Sequence, residues 1–451
     1  MKRIALIILC VLFPLLLVAF PSPVNGCYVI DKSEDLNNQF IKLEKGSTVL
    51  FRQGGFLQNG FLVGEECRIV RTTTDPVFDQ VQLNGTWCGS LSDDAFAYRE
   101  KEDHYRIIAS LFRFNEVVFS RKEYWIGIWY PILVNGVSQV VHGNGVTFFI
   151  TSDKGEVVSG KWGPYYKKEM LFSTPYVEGG NLDYRYEDIM IEDNAETRLN
   201  AGWGEDVRRF RIYSYFSVLG RKVCFNNVHS DGGGALQKVY NFRNEMDELC
   251  LSGCRVRTSQ FAVEVLNVRK DTHGHSRKIV VKDCDFYQYG SQKFVGLLSV
   301  VGPVPTDSLV ISTSRFDGTE KAGNLEVTHA LNIEISGCLF INQFLQSEPE
   351  SEIRKYDVHD NRFQFVQHKG PHGYSIGGRD IRFVNNVVEF HGERTQIRLF
   401  GCGIRFEDAG NRYYVRKGRR KLETGAPFIP AAPSMLPNGL KSFLLPLFYQ
   451  L

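Results

Sequence analysis

The feature that most constrains this chain is an internal repeat in its second half. Each copy has two apolar residues separated by one position, a two-residue gap, a small Cys, Asn or Ser, and another apolar residue two positions later. The copies begin at Leu249, Ile279, Leu309, Ile333, Tyr356, Ile381 and Ile397, and an incomplete copy begins at Ile189. Most copies start about 23 to 30 residues after the one before, a period typical of proteins whose repeats stack on one another.

The alternation within each copy predicts a β-strand, because alternate side chains of a strand point to the same face. The two-residue gap predicts a corner, and the small residue after it predicts an inward position. If successive strands stack about 4.8 Å apart, Cys254, Cys284, Cys338 and Asn361 form one row inside the corner. In such a row Asn bonds to Asn of the next copy, and Cys packs as a small apolar residue. Most cysteines are therefore predicted to be core thiols rather than disulfides or metal ligands.

Shorter apolar stretches lie between the copies and predict a further strand in each repeat, forming a separate parallel sheet. They occupy residues 234–237, 262–265, 295–298, 325–328, 373–376 and 403–406. Helical patterning is scarce, and the best helical candidate runs from Asp93 to Phe112, with Ser92 or Asp93 as its N-cap.

The N-terminus has the pattern of an export signal. Lys2 and Arg3 precede an apolar run over residues 4–20, and small residues precede Cys27. This pattern predicts a signal peptide over residues 1–26, with a retained membrane anchor as the alternative. Cys27 directly after Gly26 is typical of a lipoprotein signal, so once the signal peptide is removed, lipidation at Cys27 is the one route to a membrane that we consider. We expect an exported protein: secreted, periplasmic or an outer-surface lipoprotein.

The charge balance and the cysteine spacing limit the ligand classes. The chain has 53 basic and 51 acidic residues. Removal of Lys2 and Arg3 with the signal peptide makes the two numbers equal. A neutral mature chain disfavours nucleic acid as a partner, and the basic run over residues 416–421 is interpreted as a solvated turn. The only two cysteines at a spacing used in zinc sites are Cys250 and Cys254, which form one isolated CxxxC motif. No calcium-ligand signature is present in the sequence. No metal site and no cofactor are therefore predicted, and calcium is kept open without ligands to assign to it.

Three segments resemble the pectin lyase-like superfamily of exported bacterial β-helix proteins. Residues 40–87 look like the N-terminal module of such proteins, residues 93–149 look like the entry to the helix, and residues 186–412 carry the repeats. The resemblance implies an all-β fold: a right-handed single-stranded parallel β-helix, or solenoid, with an N-terminal cap that includes a short helix and a Pro-rich C-terminal tail. The expected division is a signal peptide at 1–26, an N-terminal β module at 27–90, the parallel β-helix at 91–412 and a capping tail at 413–451.

The resemblance implies polysaccharide as the partner, because members of this superfamily act mostly on polysaccharides, especially acidic ones. The blocks of polygalacturonase-like members are not reproduced: Asp93-Asp94 falls in the expected cap, His273-Gly274-His275 replaces Gly-His-Gly, and Arg-Ile-Lys is absent from the sequence. Two functions stay open. One is a polysaccharide lyase or glycoside hydrolase working in a groove along the parallel sheet, and the other is a non-catalytic surface module for glycan binding or adhesion. The oligomeric state is left open.

The repeat itself suggests catalytic candidates. If Val263 and Val265 face inward, Glu264 faces outward, and the same alternation turns Glu326 outward. Two repeats of separation would put these carboxylates roughly 9 to 10 Å apart, near the upper limit for an inverting glycosidase. His229 and Asp231 are expected nearby and complete the candidate catalytic set. The alternative is that these outward carboxylates are merely solvated.

Candidate substrate-binding residues lie in an aromatic and basic segment and just after Glu326. Aromatic rings can stack on sugar faces, and lysines attract uronates or sulfates. The alternative for the aromatic segment is that it packs against the body of the repeat. The candidates are Trp162, Tyr165, Tyr166, Lys167, Thr328 and His329.

Overall fold

The computed structural model of the chain consists mainly of β-strands. It describes residues 20–127, 132–134, 138–150, 157–160, 163–166, 170–174, 181–193, 214–241, 245–258, 261–267, 275–288, 296–302, 304–319, 323–326, 329–347, 352–366, 374–400 and 405–430. Within these residues, helical structure is limited to a 3₁₀ turn at Asp93–Ala95 and an α-helix at Tyr105–Leu111. Neither helical segment in this part of the chain is long and apolar enough to cross a bilayer.

Residues 27–87 form a six-stranded sheet in which every paired strand is parallel. Its long central strand is Phe56–Arg71, and the other strands pair with it or with its neighbour. These are Cys27–Ile30, Ser33–Asp35, Phe40–Lys42, Thr48–Phe51 and Phe78–Trp87. Gly85 is required here because its φ is +85° and an added Cβ would lie 1.9 Å from the Gly64 carbonyl oxygen.

The rest of the chain pairs strands into three long columns, which we call the first, second and third sheets. The first contains Ser90–Ser92, Glu116–Val118, the first halves of Gln139–Ile150 and Asp183–Asp193, Lys222–Asn226, Glu245–Ser252, His275–Lys282, Thr306–Ser312, Ala330–Ser336, Lys355–His359, Asp380–Val384 and Arg405–Ala409.

The second sheet follows the first after a tight bend. It contains Glu123–Ile126, the second halves of Gln139–Ile150 and Asp183–Asp193, His229–Gly233, Arg255–Thr258, Asp285–Gln288, Arg315–Asp317, Leu339–Ile341, Arg362–Phe365, Val387–His391, Arg412–Lys417 and, antiparallel to the last of these, Arg420–Thr424.

The third sheet has eleven strands. They are Ile132–Leu133, Met170–Ser173, Ser214–Ser217, Ala235–Asn241, Val263–Asn267, Leu298–Val301, Gly323–Glu326, Gln343–Gln346, Tyr374–Gly377, Ile397–Phe400 and Phe428–Pro430. A separate antiparallel hairpin joins Val157–Gly160 and Gly163–Tyr166. Each repeat thus contributes a strand to every sheet and pairs in parallel with the next repeat, an arrangement that fits a β-helix.

The bend between the first and second sheets has the same backbone in repeat after repeat. Its first residue has a positive φ, a conformation that glycine adopts freely and that Asn and Asp tolerate because their short side chains bond locally. The residues with this conformation at the bend are Asn144, Asp188, Asn227, Gly253, Asp283, Thr313, Gly337, Asp360, Asn385 and Gly410. Thr313, with φ of +47°, is the one β-branched residue among them.

The next residue of the bend points inward, and the predicted row of small residues is confirmed. Its buried members are Val228, Cys254, Cys284, Ser314, Cys338, Asn361 and Asn386. The Asn386 amide accepts from the Asn361 backbone N–H at 2.9 Å and donates to the Val358 carbonyl at 2.9 Å. The Cys338 backbone N–H donates to the Asn361 side chain at 2.8 Å. The two asparagine side chains of this row therefore link one repeat to another.

Beside this row, aromatic rings stack through the interior. The ring centroids of Phe316 and Phe340 are 5.1 Å apart, those of Phe340 and Phe363 are 4.8 Å apart, and those of Phe363 and Phe383 are 5.7 Å apart. Phe316, Phe340 and Phe363 occupy equivalent positions of successive second-sheet strands. Phe383 lies on the first sheet, and all four rings are fully buried. Such pairs add roughly 0.5–1.5 kcal/mol each beyond their burial.

Two predicted copies of the repeat were wrong. Ile397 and Leu399 lie in the third sheet, whereas Cys402 and Ile404 lie outside the described residues. Ile189 follows the bend instead of preceding it. The copies that were missed begin at Tyr184, Val223 and Phe406. In the first two the inward bend positions are Ile189 and Val228, which the pattern of Cys, Asn or Ser did not allow.

The predicted helix over residues 93–112 was wrong in its extent. Only Asp93–Ala95 and Tyr105–Leu111 are helical, and Phe96 bridges to Phe78 between them. The buried Asp93 carboxylate does not cap a long helix: it accepts bonds from the backbone N–H groups of Ser120 and Arg121. These tertiary bonds outweigh the local helical preference of the segment.

The C-terminal segment forms the last strand of the described structure. Phe428 adds to the third sheet, and its ring packs against Phe383, Phe406 and Tyr413 with centroid separations of 5.1, 4.9 and 6.2 Å. Residues 431–451 of the predicted tail lie outside the described residues.

Replacing Asn386 by Ala should lower the free energy of unfolding by about 2–4 kcal/mol, because it leaves the buried partners in two repeats without their bonds. Denaturant unfolding measures this loss. Asn332→Ala, at an exposed position of the first sheet, is the control and should change stability by less than about 0.5 kcal/mol. Equal effects for the two variants would contradict the role of the inward row.

Replacing Thr313 by Asn should raise the free energy of unfolding by about 1 kcal/mol, because a β-branched residue is strained at positive φ and Asn is not. The substitution also removes the hydrogen bond that the exposed Thr313 hydroxyl donates to the Asp283 carboxylate. The expected gain in stability is what remains after this small loss. Thermal unfolding compares Thr313→Asn with Ser312→Asn, which adds the same side chain one residue earlier in an extended strand. A lower melting temperature for Thr313→Asn alone would contradict the strain.

Candidate functional site

A column of polar residues runs along the third sheet. Strand register aligns Lys238, Glu264, Ser299, Glu326, Gln346, Ser375 and Arg398, one from each successive strand. The residues on either side of Glu264, Val263 and Val265, are fully buried, as are Leu298 and Val300 beside Ser299. Since side chains alternate along a strand, these apolar neighbours face the interior, and Glu264 and Ser299 face the other side of the sheet.

Glu264, the first catalytic candidate, lies in this column and is bound to Lys238 of the preceding repeat. The Lys238 Nζ lies 2.5 Å from Glu264 Oε2, and the two side chains are only 4% and 8% exposed. A buried ion pair is costly to break, because the remaining partner becomes an uncompensated buried charge. At this position the column thus forms a closed, neutralised pair.

Glu326, the second candidate, is in register with Ser299, which is in turn in register with Glu264. Two parallel strand spacings separate the Cα atoms of the two glutamates by roughly 9.6 Å. This backbone separation agrees with the alignment inferred from the repeat.

His229 and Asp231 lie on the second sheet, whereas Glu264 and Glu326 lie on the third, so the structure divides the four catalytic candidates between two sheets. His229 Nε2 bonds to Asn227 Oδ1 at 2.9 Å. Partial burial, and then the nearby Arg255 cation, lower the pKa of His229. Asp231 accepts from Arg257 at 2.9 Å on the exposed surface. Both side chains therefore have local partners on their own sheet.

Of the substrate-binding candidates, Trp162, Lys167 and Thr328 lie outside the described residues. Tyr165 and Tyr166 belong to the strand Gly163–Tyr166 of the antiparallel hairpin. His329 is half-buried, and its backbone N–H donates to the Val300 carbonyl at 3.2 Å. Its ring Nδ1 contacts the Gly302 carbonyl oxygen, which places His329 beside the end of the neighbouring third-sheet strand.

The exposure of the polar column changes along its length. Lys238, Glu264 and Ser299 are buried. Gln346 and Ser375 are half-buried, and Arg398 is exposed. A ligand therefore reaches the described column most readily at this end, which we call the open end of the column: Gln346, Ser375 and Arg398.

Sequence reasoning missed Lys238 and the open end. The signal was available for Lys238, because Gln237-Lys238-Val239 aligns with Val263-Glu264-Val265 in the repeat. It was not used because the search was directed at carboxylates. The open end was missed because exposure depends on what covers each strand, and no local pattern encodes that.

A second charged cluster surrounds Glu389 on the second sheet. Its carboxylate is almost fully buried and is bound by Arg416 Nε at 2.5 Å, Lys421 Nζ at 3.0 Å and His391 Nε2 at 3.2 Å. Burial by itself would raise the pKa of Glu389, but the bonds from Lys421 and Arg416 outweigh it and hold this pKa below its usual value. The basic run over residues 416–421 thus neutralises a buried carboxylate, in addition to forming the expected turn at Gly418 and Arg419.

Across the described ranges, no group of three or more His, Cys, Asp or Glu side chains is placed to hold a metal ion. Comparisons with protein-family profiles, with curated proteins and with solved structures find no significant match for this chain. The functional argument therefore depends on the geometry of the chain itself.

Replacing Lys238 by Met should lower the free energy of unfolding by about 3–5 kcal/mol, because Glu264 is left buried without its cation. The double variant Lys238→Met with Glu264→Met should recover most of this loss, since it removes both charges. Denaturant unfolding of the wild type, Lys238→Met, Glu264→Met and the double variant forms a double-mutant cycle. A loss below about 1 kcal/mol for Lys238→Met would contradict a buried pair.

Proposed function

We propose that this chain is an exported right-handed parallel β-helix of the pectin lyase-like kind that binds polysaccharide at the open end of its polar column. The observation that carries the proposal is the in-register column itself, which repeats a polar position once per strand and becomes exposed from Gln346 to Arg398. A linear polymer of sugars presents its hydroxyl groups at regular intervals, and a strand array with a spacing of about 4.8 Å presents partners at regular intervals too.

The chemistry of the open end suits a sugar chain. The Gln346 amide and the Ser375 hydroxyl can exchange hydrogen bonds with sugar hydroxyls, and the exposed Arg398 guanidinium can bind a carboxylate or sulfate in a two-pronged geometry. This combination favours an acidic polysaccharide over a neutral one.

Binding without cleavage is favoured by the state of Glu264. A glycosidase acid must donate a proton to the leaving oxygen, and its partner must be reached by substrate or water. The Glu264 side chain is 8% exposed and in contact with the Lys238 ammonium. Glu264 is thus poorly placed to reach a substrate.

A glycoside hydrolase or polysaccharide lyase is the second candidate function. The alignment of Glu264 and Glu326 across one intervening strand favours it, since roughly 9.6 Å between their Cα atoms is compatible with an inverting carboxylate pair.

The binding proposal is tested by measuring the affinity of the purified mature chain for a panel of acidic and neutral polysaccharides. We expect an acidic polysaccharide to bind, and Arg398→Ala to weaken it roughly tenfold, the equivalent of about 1.4 kcal/mol. Arg405→Ala is the matched control, because Arg405 is equally exposed but lies on the first sheet, and it should leave affinity unchanged. No binding to any polymer, or equal weakening by both variants, would contradict the proposal.

The same panel decides between binding and cleavage when reducing ends and the ultraviolet absorbance of unsaturated products are followed together. The binding proposal expects neither signal from the wild-type chain. Product formation that is lost in both Glu264→Gln and Glu326→Gln would contradict the binding proposal and support the hydrolase or lyase.

A further inference from the structure

Two cysteines face each other across neighbouring repeats on the first sheet. Cys224 of the strand Lys222–Asn226 is in direct register with Cys250 of the strand Glu245–Ser252. The residues that flank them, Val223, Phe225 and Leu249, are fully buried. By strand alternation, the two thiols therefore point away from the interior, on the same side of the sheet.

The spacing of the pair meets the main requirement for a covalent link. Neighbouring strands lie about 4.8 Å apart, and disulfide-linked cysteines have Cα atoms about 4.4–6.8 Å apart. Cys224 is buried at 9% exposure, whereas Cys250 is half-buried, so a small oxidant reaches the pair at Cys250. Both are free thiols in the structure.

A second in-row pair provides an internal comparison. Cys254 and Cys284 also belong to successive repeats, but they occupy the inward row and are 0% and 3% exposed. Burial in the inward row keeps external oxidants away from both of these thiols, and the hydrogen bond with Cys254, together with burial, raises the pKa of Cys284. In the outward pair, the hydrogen bond between the two thiols raises the pKa of Cys224 and lowers that of Cys250 to about 7, so Cys250 is the thiol that attacks near neutral pH.

We propose that Cys224 and Cys250 are a modification site, at which a reversible disulfide cross-links two successive repeats on the outward face of the first sheet. The oxidant is a low-molecular-weight disulfide or an equivalent protein disulfide. This inference does not depend on polysaccharide binding.

The exchange is balanced in atoms and electrons. The Cys250 thiolate attacks one sulfur of the external disulfide, forms a mixed disulfide and releases the other half as a thiolate. The Cys224 thiol then gives up its proton and attacks the Cys250 sulfur, which forms the protein disulfide and releases the second external thiol. The two protein sulfurs are oxidised, and the external disulfide is reduced to two thiols.

The test equilibrates the folded full-length chain with oxidised and reduced glutathione, blocks free thiols by alkylation, and maps the peptides by mass spectrometry. We expect a peptide pair linked through Cys224 and Cys250, with the loss of two hydrogens, that disappears on reduction. Cys254 and Cys284 should stay unlinked and become alkylated only after unfolding. Recovery of Cys224 and Cys250 as separate free or glutathionylated thiols in the folded, oxidised chain would overturn the proposal.

Matched variants separate the reaction from a folding defect. Cys224→Ser should leave Cys250 trapped as a glutathione mixed disulfide, whereas Cys284→Ser should leave the cross-link unchanged. Oxidised wild type should melt at a higher temperature than reduced wild type, because the link restricts the unfolded chain; Cys224→Ser should show no such difference. A Cys224→Ser chain with the wild-type circular dichroism spectrum but no adduct at Cys250 would also count against the site.

Discussion

The structure depends on one constraint: the bend between the first and second sheets must be identical in every repeat for the strands to stay in register. A positive-φ residue makes the turn, and a small inward residue follows it. An inward side chain that is too large would push neighbouring repeats apart, since parallel strands must approach to about 4.8 Å. Asn361 and Asn386 add a hydrogen bond between repeats at the same place. Both side-chain size and hydrogen bonding at the bend therefore keep the strands in register.

The sequence made this row predictable because its chemistry is local and periodic. Cys254, Cys284 and Cys338 could be assigned to the interior from spacing alone, and the structure buries all three. The repeat at Val223 escaped because Val228 fills the inward position with an apolar residue of similar size. The segment after Asp93 escaped for a different reason: bonds to Ser120 and Arg121, far along the chain, decide its conformation, and no local pattern contains them.

Some features of the candidate site could likewise be predicted from the sequence, and others could not. The alignment of Glu264 with Glu326 followed from alternation and period, and the strand register agrees with it. The partner of Glu264 did not follow, because the pairing with Lys238 depends on how two strands are placed side by side and on what covers them. That pairing supports the proposal of binding without cleavage, because it buries the Glu264 carboxylate against Lys238.

The stacking of repeats is tested most directly by distances between spin labels on the first sheet, introduced through an unnatural amino acid so that the native cysteines stay intact. Register places Lys222, Glu248, Lys278 and Arg405 in one column, with Ser308, Asn332, Lys355 and Asp380 as the intervening steps. The pair at 278 and 405 should lie about 24 Å apart, and moving the first label to 248 and then to 222 should add about 4.8 Å each time. Distances that do not grow by one strand spacing per repeat would contradict the account.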